Sequence, residues 1–133
     1  MATTTIRRLA GLGAAAAMSS ALLLGLPTAA HAAGYCDGTV LRANSYNGMS
    51  SRLIRSYDGN SLCVNTWNQT GGYAWTEAVI TKQVGGPDAA KDYGWYSQYA
   101  STGWVAKGNG CWWWGGTPVS PGANTFSLWY DCV

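Results

Sequence analysis

The chain has 133 residues, of which 47% are hydrophobic, 13% are aromatic and only 11% are charged, and its formal net charge is +2. So few charges exclude the dense basic surface on which nucleic-acid binding normally depends. The length is sufficient for one globular domain.

Residues 1–32 have the pattern of a secretory signal peptide. Arg7 and Arg8 precede an Ala- and Leu-rich stretch, and residues 30–32 (Ala-His-Ala) fit the small-x-small cleavage pattern. The apolar stretch also has the length of a membrane anchor, and the arginine pair is compatible with twin-arginine export. The cleavage pattern argues against an anchor, and Ile6 stands where a Ser or Thr would precede a twin-arginine pair. We therefore expect general secretion of a mature domain over residues 33–133, with no membrane attachment after cleavage.

Cleavage would change both the chemistry and the charge of the chain. His31 is the single histidine, and it lies within the predicted signal peptide. Loss of Arg7 and Arg8 would leave six basic and six acidic residues, so the mature domain would be neutral. We therefore expect no nucleic-acid partner, no metal site and no cofactor.

All four cysteines follow the predicted cleavage site: Cys36, Cys63, Cys111 and Cys132. An even number of cysteines in a small exported domain predicts two disulfides. Three pairings are possible, and the sequence does not choose among them. The pairing Cys36–Cys63 and Cys111–Cys132 is favoured because it closes the shorter loops.

Turn residues interrupt the mature sequence at short intervals, and the runs between them are rich in β-branched and aromatic residues. This pattern predicts a single all-β domain, a small sandwich or barrel of about seven or eight short strands. The Asp58-Gly59 pair is the clearest hairpin signal. The predicted strands are Thr39–Tyr46, 51–57, Ser61–Asn68, 73–82, 93–99, 104–107, 111–114 and 125–130.

The densest motif is the run Cys111-Trp112-Trp113-Trp114. Side chains alternate between the faces of a strand, so Trp112 and Trp114 share one face and Trp113 shares the other with Cys111. If Cys111 points inward, the two indoles form an exposed platform for a glycan or an assembly partner. The alternative is that a loop or the N-terminal segment covers both rings.

Other aromatic residues fall mostly in strand-like runs. Tyr93, Trp95 and Tyr99 share one parity, and we expect that face to be core. Trp104 and Tyr96 are further candidate ligand-binding residues beside Trp112 and Trp114. Three single tryptophans are expected to be buried: Trp67, Trp75 and Trp129.

The sequence gives little support to catalysis. A serine or cysteine nucleophile commonly needs a histidine base, and none would remain after cleavage. A carboxylate pair for glycoside hydrolysis could combine Glu77 with Asp58, Asp88 or Asp92. Because isolated acids beside turns are usually solvated, we expect a protein that is not an enzyme.

Three stretches resemble the spore-associated protein A family of small proteins exported by filamentous actinomycetes. They are CDG at 36–38, YDGNSLCVNT at 57–66, and DYGWYSQYA at 92–100 continuing through Trp104-Val105 to CWWWGG at 111–116. The third stretch contains the family's Asp-x-Gly-x-Tyr pattern, but Trp104 replaces a tyrosine and the pair Trp112-Trp113 is extra. The resemblance implies an exported protein associated with aerial hyphae or spores, and it implies no reaction.

These observations predict a secreted, non-catalytic, tryptophan-rich protein at the spore or cell-wall surface, which binds surface components or cell-wall glycan through aromatic side chains. One alternative is a soluble effector, such as an antimicrobial protein or a hydrolase inhibitor. The other is a small carboxylate-dependent glycan hydrolase.

Overall fold

The computed structural model describes residues 34–87, 89–123 and 125–133. The predicted signal peptide, with His31, lies outside the described residues. The described part of the chain forms nine strands. They are β1 (Thr39–Tyr46), β2 (Met49–Arg55), β3 (Ser61–Asn68), β4 (Ala74–Thr81), β5 (Ala90–Tyr96), β6 (Tyr99–Ser101), β7 (Val105–Ala106), β8 (Cys111–Pro118) and β9 (Phe126–Cys132).

The strands form two antiparallel sheets. Sheet A has the order β1-β2-β3-β6, with β7 also paired to β3, and sheet B has the order β5-β4-β8-β9. The prediction of an all-β domain with two disulfides is confirmed, and its form is that of two packed sheets. Strands β1 and β3 have the bounds that the sequence predicted.

The core lies between the two sheets and receives side chains from both. Sheet B contributes Trp112 and Trp114, the two aromatic members of a core whose other buried members are aliphatic. A buried indole removes more apolar surface from water than a leucine does, so these two side chains contribute a large share of the buried apolar surface. The remaining core residues are Leu53, Leu62, Val64 and Ala100 from sheet A, and Ala78 and Ile80 from sheet B.

Both favoured disulfides are present. Cys111–Cys132 joins directly opposed residues of β8 and β9. Cys36–Cys63 fastens the segment before β1 to the outer face of β3. There the Asn65 side chain accepts a hydrogen bond from the backbone NH of Cys36 (3.1 Å) and donates one to its carbonyl oxygen (2.9 Å). The segment before β1 therefore covers part of the outer face of sheet A.

The predicted hairpin at Asp58-Gly59 is confirmed as the connection between β2 and β3. Gly59 has a φ of 80°, which glycine adopts without strain. The Asp58 carboxylate accepts hydrogen bonds from the Ser56 hydroxyl and the backbone NH of Asn60. The first of these bonds contributes most to lowering the pKa of Asp58.

The largest departure from the predicted strands lies at residues 93–99. The sequence predicts one strand there, but β5 ends at Tyr96 and the chain crosses to sheet A, where Tyr99 begins β6. The crossing is held by Asp92, whose carboxylate accepts a hydrogen bond from the Tyr96 hydroxyl (2.7 Å) and one from the backbone NH of Ser101 (3.0 Å). The prediction of one strand is wrong because residues 93–99 contact both sheets. Alternation along the sequence does not reveal contacts between sheets.

Candidate functional site

The proposed Trp112–Trp114 platform is not exposed. The two side chains share one face of β8, as predicted, but that face is the core side, with Trp112 only 6% exposed and Trp114 fully buried. Each indole NH has an acceptor, Asp131 Oδ2 at 2.7 Å for Trp114 and the Lys107 carbonyl at 3.2 Å for Trp112. The expectation is wrong because it placed the Cys111 disulfide inside, whereas apolar burial favours the two indoles there.

Trp113 and Cys111 accordingly share the outer face of sheet B. Trp113 packs on Tyr130 of the neighbouring strand, with 4.9 Å between the ring centroids. Tyr130 is exposed. This pair and the Cys111–Cys132 bond form one end of the outer face.

The other two candidate residues lie apart from each other and from the tryptophan run. Trp104 is 44% exposed on the connection between β6 and β7, at the sheet A side. Tyr96 is half-buried at the end of β5 and donates its hydroxyl proton to Asp92. Burial, with the hydrogen bond to Asp92, raises the pKa of Tyr96 to about 12. The four residues therefore do not form one site.

Three other aromatic side chains do meet on the outer face of sheet B, and we call them the aromatic face: Trp75, Tyr93 and Trp95. Trp75 lies opposite Trp95 in the β4–β5 ladder, with their ring centroids 6.0 Å apart, and its ring is 5.6 Å from that of Tyr93. Trp95 is 66% exposed and Tyr93 is 51% exposed. The expectation that Tyr93 and Trp95 are core residues is wrong, and Trp75 is only half-buried.

The Asp-x-Gly-x-Tyr pattern explains why these rings point outward. Asp92 and Tyr96 share the inner face of β5 and are hydrogen-bonded to each other. A Cβ atom on Gly94 would lie 2.9 Å from the Tyr96 ring, so glycine leaves the space that the ring occupies. Since alternate residues face opposite ways, Tyr93 and Trp95 are directed to the outer face. Alternation separates these two sets of side chains, and the Asp-x-Gly-x-Tyr pattern on the other face is the sequence signal that could have identified the aromatic face.

A groove of about 580 Å³ adjoins the aromatic face along β4. Glu77 and Lys91 lie at the end of the groove nearest the aromatic rings, and Lys91 Nζ is 5.4 Å from the centroid of the Tyr93 ring. Its other described lining residues are uncharged and belong to β4, to β9 and to the connections that precede β5 and β9: Val79, Thr81, Val84, Gly85, Gly86, Pro87, Ala89, Thr125, Phe126 and Leu128.

A glycine bulge in β8 shapes this part of sheet B. The register between β8 and β9 shifts between Gly115 and Thr117. Gly115 and Gly116 both have a φ of 153°, and a Cβ atom on Gly116 would overlap the carbonyl oxygen of Glu77. The bulge therefore brings β8 against the backbone of Glu77, and other residues are excluded there.

Glu77 lies in a partly desolvated position. Burial raises the pKa of its carboxyl group, while a hydrogen bond from the Trp75 side chain and the charge of Lys91 act in the opposite direction. The carboxylate can accept hydrogen bonds and the Lys91 ammonium can donate them, side by side at the edge of the aromatic face.

A second concavity, of about 280 Å³, lies on the other side of Trp75 and Trp95. We call it the end pocket, because it lies where three connections meet at one end of the two sheets. Its lining contains no charged residue among the described positions, and consists of Asn47, Met49, Thr70, Tyr73, Ala74, Trp75, Trp95, Pro118, Pro121, Gly122 and Ala123.

The carboxylate pairs considered for hydrolysis are not brought together where the structure describes them. Glu77 is on the outer face of sheet B, and Asp92 is on its inner face. Asp58 is held in the β2–β3 hairpin of sheet A. Asp88 lies outside the described residues.

Comparison with known protein families, curated proteins and solved structures gives no match for this chain. Among the residues that the structure describes, no helix has the length and apolarity needed to cross a membrane.

Proposed function

We propose that this chain is an exported, non-catalytic protein that associates with the cell or spore surface and binds polysaccharide there through the aromatic face. The observation that carries the proposal is the outward cluster of Trp75, Tyr93 and Trp95 beside a groove. The resemblance to the spore-associated protein A family and the two disulfides support an extracellular place of action.

Exposed aromatic rings favour this function for a physical reason. A large exposed apolar cluster on a soluble domain costs hydration free energy, and such patches usually mark a binding surface. Sugar rings have apolar CH faces that stack on indoles and hydroxyl groups that need partners at the rim. Glu77 and Lys91 provide such partners next to the rings.

Co-sedimentation of the purified protein with cell walls and spore walls tests the proposal. We expect the wild-type protein to sediment with the walls and the double variant Trp75→Ala/Trp95→Ala to remain in the supernatant. Trp104→Ala is the matched control, because it removes an exposed indole from the other sheet, and we expect it to bind normally.

The double variant should keep its circular-dichroism spectrum, since neither indole belongs to the core. Equal binding by the wild-type protein and the folded double variant would contradict the proposal. A wild-type protein that stays in the supernatant with both kinds of wall would favour the soluble effector instead.

A further inference from the structure

We propose that the aromatic face is the middle of an extended site that binds the interior of an uncharged, linear polysaccharide over about five sugar units. This inference rests on the proposed function and adds to it the class and length of the ligand.

The end pocket, the aromatic face and the groove follow one another along β4. Tyr73 lines the end pocket, Trp75 belongs to both the pocket and the aromatic face, and Glu77 begins the groove that continues to Thr81. In an extended chain, the eight steps between Tyr73 and Thr81 span about 27 Å, which is room for about five linked pyranose rings.

The order of these three parts favours the interior of a polymer over its end. Trp75 and Trp95 stand between two concavities, with the end pocket on one side and the groove on the other. A ligand that fills both concavities must continue past the indoles in both directions. A single sugar or a chain end stacked on the indoles would leave at least one concavity empty.

The charges along this line favour an uncharged ligand. Among the described residues, the groove lining contains one acidic and one basic side chain, Glu77 and Lys91, and the end pocket lining contains neither kind. A polyanion binds chiefly through several cations along its path, because the Lys and Arg side chains that neutralise its charges supply most of the affinity. Charge complementarity therefore excludes teichoic acid and nucleic acid in favour of a neutral glycan.

Isothermal titration with β-1,4-linked oligosaccharides of glucose and of N-acetylglucosamine, from dimer to hexamer, tests the inference. We expect one of the two series to bind, each added unit to strengthen binding about three- to tenfold, and the gain to stop near the pentamer. Tyr73→Ala should weaken hexamer binding and leave trimer binding unchanged. Tyr57→Ala removes another exposed tyrosine, which lies outside the site, and is the control.

Five other results would overturn this inference. Two of these results concern a protein whose wall binding depends on Trp75 and Trp95. Equal affinity for trimer and hexamer would then exclude the extended site and leave the proposed function intact, and so would the absence of oligosaccharide binding. Salt-sensitive binding of a polyanion would exclude an uncharged ligand. Dimerisation through the aromatic face, without glycan binding, would contradict both proposals, and so would absence of wall binding.

Discussion

At the scale of single residues, Asp92 connects the two sheets through one carboxylate. One of its oxygens accepts the hydroxyl proton of Tyr96 on β5, and the other accepts the backbone NH of Ser101 on β6. A hydrogen bond to a charged acceptor contributes about 1.5–3 kcal/mol to stability. The position of the aromatic face on β5 depends on this contact, because it determines where the strand ends.

We expect Tyr96→Phe to lower the free energy of unfolding by about 1.5–3 kcal/mol at neutral pH, because the hydrogen bond to Asp92 is lost. The pKa of Tyr96 is raised to about 12 in the folded protein. The contribution of the Tyr96 hydroxyl to the free energy of unfolding is therefore fully present below the unfolded-state pKa of about 10, and it is lost as the pH rises through the folded-state pKa.

Urea unfolding of the wild-type protein and Tyr96→Phe between neutral pH and pH values near 12 measures this difference. Tyr93→Phe, on the same strand and exposed, is the control and should unfold like the wild type. If the difference in the free energy of unfolding between the wild type and Tyr96→Phe stays constant up to the highest pH, the Tyr96 hydroxyl does not stabilise the fold by donating its proton to Asp92.

Single residues also show what alternation can and cannot predict. The sequence correctly predicted that Trp112 and Trp114 share a face of β8, because the period of a strand is fixed. It did not predict that this face is the core, since that depends on which side the opposite sheet covers. The same reasoning applies to Tyr93 and Trp95, whose exposure follows from the burial of Asp92 and Tyr96 on the other side.

At the scale of elements, the glycine bulge of β8 determines how sheet B is built beside the groove. The register of the β8–β9 pairing differs by one residue before and after the bulge, and the bulge brings Gly116 against the backbone of Glu77. The run of residues 111–116 is therefore a strand in which the aromatic side chains fill the core and the two glycines allow close approach of β4.

We expect Gly116→Ala to prevent folding or to lower the melting temperature severely, because its Cβ atom would overlap the carbonyl oxygen of Glu77. Gly122→Ala is the matched control: Gly122 also has a positive φ, 74°, but open space around it. It should cost only about 1–2 kcal/mol. Similar melting temperatures for the two variants would contradict this account of the bulge.

Elements with strong local signals were predicted well. Strands β1 and β3 begin and end where expected, because turn residues flank them, and Asp58-Gly59 closes the hairpin as expected. The break after Tyr96 was missed because residues 93–99 are continuous in strand propensity. The chain leaves the strand there through contacts with the other sheet: Asp92 accepts a hydrogen bond from Ser101, and the Asn68 side chain donates one to the Tyr96 carbonyl.

At the scale of the whole molecule, the two disulfides and the core stabilise a domain that carries a cluster of exposed aromatic side chains, the aromatic face, on sheet B. Loops of the observed lengths, closed by Cys36–Cys63 and Cys111–Cys132, each stabilise by about 3–4 kcal/mol on the chain-entropy estimate. Such covalent support allows a small domain to leave large rings outside its core. Of the rings outside the core on sheet B, those of the aromatic face lie beside the two concavities.

The most direct test of the central claim is hydroxyl-radical footprinting of the wild-type protein, read by mass spectrometry, with and without cell or spore walls. We predict that the walls protect Trp75, Tyr93 and Trp95 from oxidation and leave Trp104 as reactive as in the free protein. Protection of Trp104 with no change at the three residues of the aromatic face would contradict the account.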